Sequence, residues 1–322
     1  MVMGMTQIKK EDCKMSAKII DGNKIAEEIK FKVKSELTVL KENNKNTKPV
    51  LVAIQVGDNP ASRVYIKNQK ASCEEIGIEY NLKQLDNSIT ENDLINETQK
   101  ICKDPSVTGI ILQMPLPPQI NAKKVQMLIS PDKDVEGISP INLGKLLYSD
   151  IKPLVAPCTA LSVMECIKST GEQIKGKEVV IVGHSEIVGK PVCLMLLSSV
   201  MESATPTVCH IASKELSYHT KRAEILIVAV GKAGLIKGNI IKEGAIVIDV
   251  GINRVPLKDE NGNPVIDEKS GKPKMKTVGD VVFDEAVNIA GYITPVPGGT
   301  GAVTTSILLQ NLLSLYKTQV NS

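Results

Sequence analysis

The chain has 322 residues, 42% hydrophobic and 23% charged, with a net charge of +3. That composition describes a soluble globular protein long enough for two ordinary domains, and so small a positive balance argues against nucleic acid or a membrane as partner. Seven cysteines, none in a C-x-x-C pair, argue against a disulfide framework or a zinc site, so a reducing compartment fits and no metal is expected.

Residues 1–14 carry Lys9, Lys10, Glu11 and Asp12 but no Arg and no apolar core. They fit neither a signal peptide nor a typical transit peptide and are read as a disordered extension. A cytoplasmic location is expected, with a mitochondrial address left open. No apolar run is long enough to span a bilayer.

From residue 17 onward, helices and strands alternate. Ile25, Ile29, Val33, Leu37 and Leu40 recur at helical spacing and predict a helix over 24–40. Val50–Val56 is rich in β-branched residues and closes on Gly57-Asp58-Asn59-Pro60, the pattern of a strand and turn. A helix over 62–76 ends at Gly77. Further strands are expected at 78–85 and 107–112, with helices at 91–102 and 123–129. The alternation then restarts: helix 160–169, strand 178–182, helix 190–197, strands near 207–210, 225–230, 245–249 and 292–294, and a last helix over 303–316. Residues 256–277 are polar and read as an exposed hairpin or loop. The β-α-β order predicts an α/β fold with parallel sheets flanked by helices, and the length suits two domains.

The strand at 178–182 runs into Gly183-His184-Ser185-Glu186-Ile187-Val188-Gly189 and then a helix. Such a turn aims backbone N–H groups and a positive helix end at an anion such as a pyrophosphate. The spacing departs from G-x-G-x-x-G, so read alone it fits an ordinary βα turn equally well. The next strand ends Cys209-His210-Ile211-Ala212-Ser213, without the acid that usually holds an adenosine ribose. Glycines after three strands, at Gly183, Gly231 and Gly251, mark a ligand cleft along the carboxyl edge of a sheet.

Several strings then occur in order: Asn59-Pro60-Ala61-Ser62-x-x-Tyr65, Leu112-Gln113-Met114-Pro115-Leu116-Pro117, Asp132-Lys133-Asp134-Val135-Glu136-Gly137, Pro157-Cys158-Thr159, and Pro295-Val296-Pro297-Gly298-Gly299-Thr300-Gly301. Together they closely resemble the methylenetetrahydrofolate dehydrogenase/methenyltetrahydrofolate cyclohydrolase family, over residues 17–318. The resemblance implies a catalytic folate-binding domain at 15–159 plus 296–322 and a Rossmann-like dinucleotide-binding domain at 160–295, with a cleft between them. It implies a homodimer acting on tetrahydrofolate derivatives. The reaction it implies is oxidation of 5,10-methylenetetrahydrofolate with hydride transfer to NAD(P). Many members then hydrolyse the methenyl product to 10-formyltetrahydrofolate.

Carried over residue by residue, Tyr65, Gln69, Gln113 and Glu136 fall at catalytic positions. Tyr65, Gln69, Leu112, Gln113, Met114, Pro297, Gly298, Gly299, Thr300 and Gly301 fall at folate-contacting ones. Gly183, His184, Ser185, Ile187, Val188, Gly189, Ile211, Val230, Gly231, Ile252 and Thr304 fall at cofactor-contacting ones.

Two departures stand out. Gln69 occupies the place of the family's catalytic lysine, four residues after Tyr65 and on the same helix face. Lys70 is turned away by roughly 100°. A carboxamide holds no positive charge and shuttles no proton at neutral pH, so the cyclohydrolase step is expected to be weak or absent. Glu136 stands where the family usually has Asp, which keeps the carboxylate but lengthens its arm. The NADP-using members share an Arg and a Ser at the positions of His184 and Ile211. A 2′-phosphate wants such donors, so NAD is the expected cofactor, ahead of NADP. The fully bifunctional enzyme and a folate- or nucleotide-binding protein without turnover are the alternatives.

Overall fold

The structure, a computed structural model, describes residues 16–43, 48–148, 153–268 and 270–321. The extension expected at 1–14 lies outside the described residues. In chain order the elements of the first half are β1 (Lys18–Ile19), α1 (Gly22–Asn43), β2 (Val50–Val56), α2 (Pro60–Ile76), β3 (Glu79–Leu85), α3 (Glu91–Lys103), β4 (Gly109–Leu112), α4 (Ala122–Gln126) and α5 (Pro140–Lys145). The second half has α6 (Cys158–Ser169), β5 (Glu178–Val182), α7 (Gly189–Leu196), β6 (Thr205–Cys209), α8 (Leu216–Thr220), β7 (Ile225–Val228), β8 (Ile246–Asp249), β9 (Asn253–Pro256), β10 (Met275–Val278), α9 (Phe283–Ala286), β11 (Tyr292–Ile293) and α10 (Thr300–Val320).

The chain is a two-domain α/β protein. In the first domain β2 lies between β3 and β4, all parallel, with Val50 opposite Glu79 and Leu51 opposite Gly109. Helices cover both faces, so β2 is apolar at nearly every position and almost wholly buried. α1 buries Ile25, Ile29, Val33 and Leu37, one stripe at i, i+4 spacing. The second domain has six parallel strands in the order β1-β11-β8-β7-β5-β6. β5 pairs with β6 on one side and β7 on the other, so the winding reverses there. A crevice opens at the carboxyl ends of strands at such a switch point.

Three features depart from the sequence expectation. First, β1, from a segment assigned with the first domain, adds an edge strand to the second sheet through β11. Two residues carry no periodicity, and their pairing is a tertiary event. The chain returns beside this crossing, where the Gly22 N–H donates to the Gly298 carbonyl at 2.9 Å. Second, the strand expected to reach Val230 stops at Val228, because the N–H groups of Val230 and Gly231 donate to the Asp280 carboxylate instead of a neighbouring strand. Third, the helix expected over 123–129 spans only Ala122–Gln126, capped by the Asn121 side chain. Residues 256–277 connect the antiparallel ribbon β9–β10 and include its ends, Pro256 and Met275 to Thr277. α10 is largely buried and packs along α1 and α6, tying the two domains together.

Candidate active site

A cavity of about 220 Å³ opens between α2, the end of β4, the 136–138 segment, the start of α6 and α10. Tyr65, Gln69, Met114, Glu136, Cys158 and Thr304 are among its lining residues. Tyr65 and Gln69 reach it from one face of α2, four residues apart. Lys70 stays outside, exposed and 3.8 Å from Glu74, and Lys67 is exposed as well. Neither stands in for a lysine at position 69.

The Gln69 carboxamide is held from two sides. Gln113 Nε2 donates to Gln69 Oε1 at 2.8 Å, and the Tyr80 hydroxyl donates to the same oxygen at 3.3 Å. Gln113 is itself buried, with its backbone N–H on the Ile54 carbonyl. Leu112, the residue before it, points to the opposite face of the sheet and packs with Val52, Ile54 and Leu94. Strand alternation thus removes the Leu112 side chain from the expected contact set. Met114 follows at the rim, before the cis bond to Pro115.

Glu136 looks into the same cavity from a tightly held loop. Asn311 on α10 donates to the carbonyls of Val135 and Ala156, each at 3.0 Å. Gly137 adopts a left-handed φ of 67°, and a Cβ there would lie 2.3 Å from the Ala156 backbone. Burial, reinforced by the nearby Asp134 charge, pushes the Glu136 carboxyl up to about 8. Asp134 is tied up by the Ser139 N–H at 2.7 Å and Asn142 Nδ2 at 3.0 Å. The cavity therefore holds a carboxyl group poised to exchange a proton near neutrality.

A second cavity of about 240 Å³ adjoins the first, and Tyr65 and Gly301 line both. Ile252, Pro297, Gly298 and Gly299 line its walls. Thr300, expected to contact folate, is instead buried with its hydroxyl donating to the Asp249 carbonyl at 2.9 Å. It anchors the loop. Ile187 and Thr304, expected at the cofactor, line the first cavity together with Tyr65 and Gln69.

At the sheet's switch point the turn after β5 is built on two close backbone approaches. Gly183 has φ 123°, and a Cβ there would lie 2.2 Å from the Ala229 carbonyl oxygen. A Cβ on Gly189 would lie 2.0 Å from the Gly183 oxygen. Only glycines allow the strand end, the turn and the first turn of α7 to cross so closely. Ser185 Oγ accepts from the Val188 N–H at 3.2 Å, and the Val188 side chain turns into the core. His184 is exposed and lies 5.1 Å from the His210 ring, centroid to centroid. Ile211 beside it is fully exposed. Glu186 reaches across to Lys123 of the first domain at 2.8 Å.

Two carboxylates missed by the sequence reading organise the floor. Asp280 accepts from the N–H groups of Val230 and Gly231 at 2.7 and 2.9 Å and from Asn253 Nδ2 at 2.8 Å. Asp249 accepts from the N–H groups of Gly251, Asp280 and Val281 at 2.9, 3.0 and 2.8 Å. Together they join three loops at the carboxyl edge. The sequence signal was a lone acid within an apolar stretch, Val278-Gly279-Asp280-Val281, where an unpartnered carboxylate would be costly.

Comparison with known proteins agrees with this geometry. Residues 20–136 match the catalytic domain of the family described as tetrahydrofolate dehydrogenase/cyclohydrolase, and residues 157–320 match its NAD(P)-binding domain. The chain is 44% identical to the "Bifunctional protein FolD" of Acetivibrio thermocellus, covering 95% of this chain and 99% of that one. It resembles the crystal structure of the bifunctional methylenetetrahydrofolate dehydrogenase/cyclohydrolase FolD from Campylobacter jejuni, with a TM-score of 0.83 and 39% identity, over 94% of this chain and 99% of that one. The Trypanosoma brucei FolD, solved with NADP and an inhibitor, has a TM-score of 0.85 and 35% identity, over 95% and 99%. The chain belongs to the tetrahydrofolate dehydrogenase/cyclohydrolase family.

Proposed function

We propose that this protein oxidises 5,10-methylenetetrahydrofolate to 5,10-methenyltetrahydrofolate, with NAD preferred over NADP. The observation that carries the reading is the junction of the two cavities at Tyr65 and Gly301, one lined by Gln69 and Glu136, with Gln113 bonded behind Gln69, and the other lying along the sheet edge. In the reaction a C–H bond of the methylene carbon breaks and its electron pair leaves with the hydrogen. The methenyl cation that remains is delocalised over the two flanking nitrogens. A bound nicotinamide supplies the hydride acceptor. The protein's task is to hold two flat reactants in register and keep water from between them. Tyr65 offers a ring for stacking, and Gln69, Gln113 and Glu136 offer polar contacts. The Gly183 turn leaves room for a pyrophosphate.

The NAD preference rests on His184 and Ile211. A fully exposed isoleucine offers no donor to a 2′-phosphate, and an imidazole lacks the forked guanidinium donors that pair with one. Comparing kcat/KM for the two cofactors tests this; a higher value with NADP contradicts it. The relatives' bifunctional names favour a second reading in which hydrolysis follows. Glu136, with its carboxyl raised to about 8, is the proton carrier that this reading would use. Loss of methenyl product faster than its spontaneous hydrolysis would establish it.

The same reading includes a cytosolic homodimer. β6 is an open edge of the six-stranded sheet, and Val200 and Met201, in the turn leading into it, are 89% and 71% exposed. Exposed apolar residues beside a free strand edge suit an isologous contact.

A further inference from the structure

Position 69 is held in a way that the loss of a lysine alone does not require. Gln69 Oε1 has two acceptor sites. The Gln113 amide and the Tyr80 hydroxyl fill both, at 2.8 and 3.3 Å. Those donors come from different elements, one just beyond β4 and the other on β3, while Gln69 rides on α2. Tyr80 has little freedom. The residue is only 9% exposed and sits in the core cluster with Ile66, Cys73 and Ile78. Gln69 lines the cavity, and with its oxygen engaged by two protein donors, Nε2 is the amide atom left for a ligand there. Among the described residues no protein acceptor takes either Nε2 hydrogen.

We propose that Tyr80 is a positioning residue that, with Gln113, locks the Gln69 carboxamide so that position 69 presents two oriented, neutral N–H donors to bound folate. This rests on the folate reading of the cavity and deepens it. A lysine supplies a mobile charge. The locked amide supplies direction, and its donors suit lone-pair atoms of the pterin or of the one-carbon bridge. Tyr80 never touches the substrate. It acts through Gln69, so removing its hydroxyl matters only while Gln69 is present.

A double-mutant cycle separates that role from simple packing. Tyr80→Phe, Gln69→Ala and the double variant are compared with wild type, reading KM for methylenetetrahydrofolate, KM for NAD and kcat. Tyr80→Phe is expected to raise the folate KM three- to tenfold in the wild-type background and to leave the NAD KM unchanged. In the Gln69→Ala background it is expected to change the folate KM by less than twofold. Gln69→Glu keeps an oxygen that accepts from both Tyr80 and Gln113 but has no N–H to donate, so it is expected to raise the folate KM at least as much as Gln69→Ala. Equal effects of Tyr80→Phe in both backgrounds, no effect in either, or an unimpaired Gln69→Glu variant would overturn the proposal. If wild-type protein fails to turn over or bind folate, the underlying reading fails, and the lock with it. Wild-type turnover with an additive cycle removes the lock alone.

Discussion

We propose that the residue at position 69 separates two chemistries. Hydride transfer asks for alignment, which a fixed carboxamide can supply. Water addition and ring opening ask for proton transfer, which it cannot. Gln69→Lys is therefore expected to raise methenyl hydrolysis about tenfold or more, well inside the range of general acid–base catalysis. Methenyl decay by absorbance checks it, and no gain in a folded variant contradicts it. Glu136 makes a pH prediction. Its carboxyl is raised to about 8 in the folded protein from an ordinary value near 4.5. Between those values the folded chain binds more protons than the unfolded one, so stability falls as pH rises through the interval. Asp249, raised to about 6 by burial, adds a like effect only at lower pH. Between pH 6.5 and 8.5 the Tm of wild type should thus fall more than that of Glu136→Gln. Parallel melting curves would contradict the assignment. Tyr65, Gln69, Met114 and Glu136, grouped in the sequence by the family resemblance, line one cavity. Which side chains turn away was not legible in the sequence: Leu112 faces the other side of its sheet, and the Thr300 hydroxyl is taken by the Asp249 carbonyl.

The elements best anticipated carry strong periodicity. β2 matches its expected bounds, and α2 ends at Ile76, just before the left-handed Gly77. β1, α5, α8 and α9 were not anticipated, because segments of two to six residues owe their shape to what they dock on. α5 shows this: its Ser139 cap is held by Asp134, a partner no local pattern reveals. The turn between β5 and α7 gives the test at this scale. Gly183→Ala would drive a Cβ to 2.2 Å from the Ala229 oxygen at a φ that alanine avoids, a strain of about 1–3 kcal/mol. Cofactor KM should rise at least tenfold, while folate binding, measured directly, persists. A variant with unchanged cofactor KM would remove this turn from the site.

For the whole molecule, the parallel α/β character of both halves follows from the alternation of strands and helices, whereas the cleft between them was implied only by the family resemblance. The stitching between the halves does not follow from that alternation. β1 joins the second sheet before α1 enters the first domain, and α10 packs back along α1 and α6. The pairings of β1 with β11 and of α10 with α1 link residues nearly a full chain length apart, beyond the reach of local pattern. The open edge at β6 predicts a dimer, so light scattering during size-exclusion chromatography should give twice the chain mass. A monomer at micromolar concentration contradicts it. The central claim is tested most directly by giving purified protein 5,10-methylenetetrahydrofolate with NAD, and separately with NADP, while following reduced cofactor and methenyl product together. The account predicts rapid NADH formation matched by methenyl product that persists near its spontaneous lifetime. Folded protein that binds folate yet reduces neither cofactor would contradict it.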